Sequence, residues 1–219
     1  MFIRFSNKGC FVKKQPIINL LLGVILTFTL VLFASCGSKT QGAALKNIET
    51  SEYTHITGYQ LTVPANWQPV AQTTAGVYFV DELNHISLNV VSEIGGMDFL
   101  SLEEMSVLIK DKFSAGYTDV EELAVIKGKD EKKEYGLVLK GMDGVNPVIA
   151  DIWIYEPYNS IRYYLIFSCG GDDYQNNTQL FKEITGSFNF VSDKNQVYEM
   201  LNLSAEEFDK SMKDGLHKI

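Results

Sequence analysis

Residues 148–169 read Val148-Ile149-Ala150-Asp151-Ile152-Trp153-Ile154-Tyr155-Glu156-Pro157-Tyr158-Asn159-Ser160-Ile161-Arg162-Tyr163-Tyr164-Leu165-Ile166-Phe167-Ser168-Cys169. Two strands and their turn are legible in this stretch. Val148, Ala150, Ile152 and Ile154 alternate onto one face of the first strand, and Ile161, Tyr163, Leu165, Phe167 and Cys169 onto one face of the second. Proline at 157 pre-sets φ for a turn in Glu156-Pro157-Tyr158-Asn159. A link that short joins antiparallel neighbours, because parallel strands need a long crossover.

Working outward, the same pattern repeats. Strands are expected over 120–127 and 135–140, with charged or Asp-Gly connections at 128–132 and 141–144. Toward the N-terminus, Tyr59, Leu61 and Val63 alternate with Gln60 and Thr62 and stop at Pro64. Further strands are expected over 76–80 and 86–91, joined by Asp81-Glu82-Leu83-Asn84. Two helices interrupt the strands. Ser101 and Glu104 form a capping box, with Leu100 and Met105 as its staple; Leu102, Met105, Leu108, Ile109 and Phe113 then recur at helical spacing up to Gly116. Asp172 or Asp173 is expected to cap the second helix, which runs to about Thr185 with Leu180, Phe181 and Ile184 inward. Gly186-Ser187-Phe188-Asn189-Phe190 closes the domain as a short strand, and a tail helix follows, with Ser204 and Glu207 as its capping box. This order predicts an α+β fold, an antiparallel sheet flanked by helices with a C-terminal helical tail.

The order resembles the PsbP-like α/β/α sandwich, a fold also used by a nuclear import factor that binds the Ran GTPase. The matching residues are Gly58-Tyr59-Gln60-Leu61-Thr62-Val63-Pro64-Ala65-Asn66-Trp67 at the start. At the end they are Tyr163-Tyr164-Leu165-Ile166-Phe167-Ser168, then Phe181, Ile184 and Ser187-Phe188. These are core and turn positions, so the resemblance implies a binding or assembly module and transfers no site residue.

The N-terminus carries a separate message. Arg4, Lys8, Lys13 and Lys14 precede an apolar run from Ile17 to Phe33, and no acid occurs before Ala34-Ser35-Cys36-Gly37. A basic start, an apolar middle and small residues make an export signal. Leu32-Phe33-Ala34-Ser35-Cys36 resembles the lipobox of bacterial lipoproteins, although Phe33 stands where that family favours leucine. The resemblance implies cleavage before Cys36 and a diacylglycerol on its thiol. The alternative is an uncleaved membrane helix, and both place the rest of the chain outside the cytoplasm. The expected organisation is a signal peptide over 1–35, a flexible tether over 36–52, the domain over 53–191 and the tail over 192–219.

Without residues 1–35 the chain holds 15 basic and 27 acidic side chains, a formal charge of −12. So acidic a domain repels DNA, RNA and anionic lipid, which argues against nucleic acid and leaves cations or a basic protein surface open; the resemblance to the PsbP-like fold implies a protein partner in the cell envelope. Cys10 leaves with the signal and Cys36 is acylated, so Cys169 stands alone and no internal disulfide forms.

No cofactor motif, metal-ligand spacing or catalytic set is found. His55, His85 and His217 lie far apart, and Asp172, Asp173, Asn176 and Asn177 do not fit an EF-hand loop. The enzymatic alternative is a hydrolase or thiol enzyme using Cys169 with His85 or His55 as base. The candidate partner or ligand contacts are the aromatic residues Trp153, Tyr155, Tyr158 and Tyr164, which neighbouring strands can bring together.

Overall fold

The two quoted strands are neighbours inside a seven-stranded sheet. The structure, a computed structural model, describes residues 44–83, 85–94, 100–128, 133–158, 161–193, 195–197 and 199–200. The signal peptide expected over 1–35, Cys36 and the tail beyond residue 200 lie outside the described residues. In chain order the elements are β1 (Thr50–Thr54), β2 (Tyr59–Pro64), β3 (Gln68–Thr73), β4 (Gly76–Asp81), β5 (Ile86–Ile94) and α1 (Leu102–Gly116). There follow β6 (Thr118–Lys127), β7 (Glu134–Asp143), β8 (Asn146–Tyr158), β9 (Ile161–Gly170), α2 (Gly171–Ser187) and β10 (Asn189–Phe190).

The large sheet has the order β3-β4-β5-β9-β8-β7-β6, and β1-β2-β10 forms a second, small sheet. Every pairing is antiparallel. The α+β class expected from the sequence is therefore the observed one.

The large sheet is apolar on both faces, which is why helices cover both. On one face Val148, Ala150, Ile152 and Ile154 join Leu137 and Leu139 beneath Leu102, Met105, Ile109 and Phe113 of α1. On the other, Tyr163, Leu165, Phe167 and Cys169 join Leu88 and Phe79 beneath Leu180, Phe181 and Ile184 of α2 and Tyr59, Leu61 and Val63 of β2. Phe167 stacks on Phe181 at 4.5 Å between ring centroids. The alternation of β8 and β9 feeds these two cores from opposite sides of one sheet.

The capping box of α1 forms as its spacing requires. Glu104 N–H donates to Ser101 Oγ at 3.2 Å, and Ser101 N–H donates back to Glu104 Oε2 at 2.8 Å. The start of α2 differs from expectation. Gly170 is its N-cap and supplies no side chain, while Asp172 and Asp173 sit inside the first turn. β9 stays paired as far as Gly170, opposite Val148, so the helix begins before either aspartate can cap it.

Part of the segment expected as a tether, 36–52, packs on the domain. Leu45 N–H donates to Glu183 at 2.6 Å, Leu45 and Ile48 pack against the core, and β1 begins at Thr50. At the other end, Val197 is 1% exposed and belongs to the same core. Gly58, at φ +78°, makes the turn that accepts Val191 N–H at 2.7 Å. A Cβ there would fall 2.1 Å from Ser192 Cβ, so this contact requires glycine.

Candidate binding surface

The four aromatic residues expected to form a contact patch are divided by the sheet. Tyr164 lies opposite Ile154 and so shares the α1 face, where its hydroxyl donates to Glu93 at 2.8 Å. Trp153 lies opposite Leu165 and shares the α2 face with Tyr155. Tyr155 is buried against Phe188, and Tyr158 donates its hydroxyl to Ser192 O at 2.8 Å. The period-two alternation that builds the strands thus prevents the four rings from meeting on one surface. Tyr155 and Tyr164 are core residues, and Tyr158 ties down the segment after β10.

Trp153 alone of the four reaches the open margin of the sheet. It lies opposite Gly136 on β7, which in turn lies opposite Ile126 on β6. A Cβ on Gly136 would stand 3.3 Å from the indole and 3.1 Å from Ile126 Cβ, so glycine lets the two side chains close over the strand. β6 is one of the two edge strands, β3 being the other, and along β6 Leu123, Val125 and Ile126 are 41%, 43% and 37% exposed. The sequence marks β6 as a strand; its being an edge follows only from the strand order.

That edge is guarded. Its pairing with β7 shifts register between Thr118 and Glu121 and again between Glu122 and Ala124, and Asp119 adopts φ +50°. Bulges and acids on an edge suppress indiscriminate strand addition while leaving side chains accessible. What remains is a half-apolar, acidic edge: Ile126 lies on the face of Trp153, Val125, opposite Leu137, lies on the α1 face, and Leu123, Asp119, Glu121 and Glu122 complete the strand.

The nucleophile candidate has the wrong surroundings. Cys169 is fully buried, and desolvation, then Asp173 and Asp151, push its thiol far above the ordinary range. A thiolate is the reactive form, so this cysteine behaves as a small apolar side chain. Native protein is expected to leave Cys169 unmodified by Ellman's reagent over hours and to react promptly in guanidinium; rapid native labelling would contradict this.

His55 is no better placed to act as a base. It is buried, its Nδ1 accepts from Thr57 N–H at 3.2 Å, and its Nε2 lies 2.9 Å from Thr73 O. These partners assign the proton to Nε2, and burial lowers the ring's pKa. Asn176 and Asn177 use their side-chain amides on the carbonyls of Asp172 and Asp173. Among the described residues no group of three metal-ligating side chains converges, and no helix is long and apolar enough to cross a membrane.

A cavity of about 390 Å³ opens at the start of α1, lined by Leu100, Ser101, Glu103, Lys127, Tyr135 and Glu156 among others. Arg162, the buried cation behind it, directs Nε to Glu156 and Nη2 to Leu100 O. Its charge supports the cavity wall.

No protein-family model and no curated relative matches the chain. Solved structures do. The chain is similar to the Ran-binding protein Mog1p of Saccharomyces cerevisiae, with a TM-score of 0.55 and 12% identity over 68% of this chain and 98% of that one. It is also similar to cyanobacterial PsbP (CyanoP) of Synechocystis, with a TM-score of 0.53 and 18% identity over 72% of this chain and 98% of that one. The fold is PsbP-like. At these identities the likeness concerns the backbone arrangement, so the acidic margin at β6 is described here from this chain's own residues.

Proposed function

We propose that this protein is a membrane-anchored extracytoplasmic lipoprotein whose PsbP-like domain is a non-enzymatic binding or assembly module for a protein of the cell envelope. The observation that carries the binding reading is the β6 edge, where Leu123, Val125 and Ile126 stand exposed among acids and Ile126 lies on the face of Trp153. Exposed apolar groups ringed by charge are the usual signature of a protein contact. The formal charge of −12 after residue 35 favours a basic partner surface. The fold adds support, since one similar protein is by its name Ran-binding. The enzymatic alternative through Cys169 has no supporting geometry.

The anchor rests on Cys36 and its flanks. Each buried lipid methylene adds about 0.8 kcal/mol of membrane affinity, so two or three acyl chains hold the protein firmly. Cys36→Ser is expected to leave an uncleaved N-terminus without acyl chains by intact mass, held in the membrane through the apolar run Ile17–Phe33 instead of through lipid. Membrane retention of a processed Cys36→Ser protein would refute the lipid anchor. The binding reading is tested separately, by a photo-crosslinking amino acid at position 126, on the face of Trp153, in living cells. A discrete adduct that Trp153→Ala abolishes is expected; a chain left uncrosslinked at that site would refute the β6 contact.

A further inference from the structure

The cover on the α2 face stops short of the sheet's edge. α2 packs on β2, β8 and β9, whereas β6 and β7 pack on α1, across the sheet. Along β8, α2 reaches Asp151, which is 6% exposed and accepts the Tyr174 hydroxyl at 3.3 Å. Further along the same strand, Phe188 and Phe190 reach Tyr155 and Tyr158. Trp153 lies between these two contacts, and across Gly136 from it lies Ile126, 37% exposed.

The chain itself returns to this margin. After β10, the Tyr158 hydroxyl at the end of β8 donates to Ser192 O at 2.8 Å. Asp193 and Gln196 then form a capping box. Gln196 N–H donates to Asp193 Oδ1 at 3.1 Å, and Asp193 N–H donates back to Gln196 Oε1 at 3.2 Å. The helical turn so opened carries Val197, 1% exposed, into the same core against which Trp153 packs. Residues 201–219 therefore set out from the α2 face.

Their sequence suits the open strip. It predicts a helix opened by Ser204 and Glu207 and stopped at Gly215. Ala205, Phe208 and Met212 recur at i, i+3 and i+7, so they share one face. Residues 205–214 make about 15 Å of helix, while the step from β8 to β6 is about 10 Å. Residues 193–204 can cover the roughly 17 Å of β8 from Tyr158 back to Trp153.

Charge orients the segment. Glu206, Glu207 and Asp209 lie in its first half, and Lys210, Lys213 and Lys218 stand against Asp214 in its second. Glu122 of the edge strand is paired with Lys110 of α1 at 3.1 Å, whereas Glu121 lies on the face of Ile126. A helix entering from β8 brings its basic half toward Glu121 and Asp119.

We propose that residues 205–214 form an amphipathic helix that lies across Trp153, Gly136 and Ile126 and closes this face until a partner displaces it. The cover stands on its own geometry; the competition with a partner rests on the binding reading above.

The test uses the purified full chain in detergent, with benzoylphenylalanine at position 126. Irradiation is expected to give an internal crosslink, in a species of monomer mass, to a peptide within 201–219. Phe208→Asp combined with Met212→Asp is expected to cut its yield about tenfold, because burial of those two side chains holds so short a helix in place. No crosslink to 201–219, or a yield that the double change leaves intact, would overturn the cover. A crosslink between two molecules would assign the face to a second copy and overturn it as well. In cells, the double change should raise the partner adduct at position 126 about fivefold, the factor for a face open about a fifth of the time. An adduct that stays the same would overturn the competition. Purified protein holds no partner, so an absent adduct in cells counts against the binding reading and leaves the internal crosslink to decide the cover.

Discussion

Trp67→Ala is expected to cost the domain about 4–6 kcal/mol, enough to unfold a large share of the protein at 37 °C. Trp67 is 1% exposed, directly after the Pro64-Ala65-Asn66 turn, and packs in the core that also holds β2 and α2. Its backbone N–H closes the turn on Pro64 O at 2.9 Å. Its indole N–H donates to Asp81 Oδ2 at 2.9 Å, and Asp81 is itself buried. Truncating a buried Trp to Ala typically costs about 3–5 kcal/mol in transfer and cavity terms. Stripping a buried acceptor of its donor adds about 1–3 kcal/mol. Trp67→Phe separates the two, since it keeps most of the ring and loses the bond, and should cost about half as much. Urea unfolding followed by circular dichroism measures both; a loss below about 2 kcal/mol for Trp67→Ala would show that the indole does not anchor β2 to β4.

Arg162→Met is expected to cost about 3 kcal/mol, the second largest loss from one side chain. The Arg162 side chain is 6% exposed and its Nε lies 2.6 Å from Glu156 Oε2. It also donates to Leu100 O, immediately ahead of the Ser101 cap, and so ties β9 to the start of α1. Glu93 shares the site: burial raises its carboxyl, while the Tyr164 hydroxyl and Arg162 oppose that rise. Methionine matches the stem of Arg162 but leaves both carboxyl groups without a cation. Removing Arg162 lifts Glu93 further, so the deficit should shrink as pH falls and Glu93 takes up its proton. Denaturation at pH 5 and pH 8 reads that difference, and a second change, Glu156→Leu, should recover part of the loss. A deficit independent of pH would mean that Arg162 acts through packing alone.

Much of the fold is legible locally. Residues 59–63, 76–80, 86–91, 148–155 and 161–169 announce strands because one or both of their faces are apolar, and each lies within an observed strand. α1 is equally legible because its cap is a local hydrogen-bond pair. β1 and β3 are not, since their residues are almost all exposed and carry no alternation for a burial pattern to impose. Their existence depends on pairing with β2 and β4.

The candidate surface was less legible than the fold. Trp153 stands out in the sequence, but so do Tyr155, Tyr158 and Tyr164, and nothing local separates a core ring from an accessible one. Leu123, Val125 and Ile126 resemble any half-buried strand. Asp151 resembles a polar interruption until α2 is laid across it.

By itself, then, the sequence determined the α+β class and the antiparallel meander, because period-two and period-3.6 patterns are local consequences of backbone geometry. Tertiary structure alone decided which strand became the open edge, which face each aromatic ring joined, and that an acid and a cysteine would be buried beneath α2. Those outcomes depend on strand order and on what packs over each face, and both arise from contacts between residues far apart in the chain.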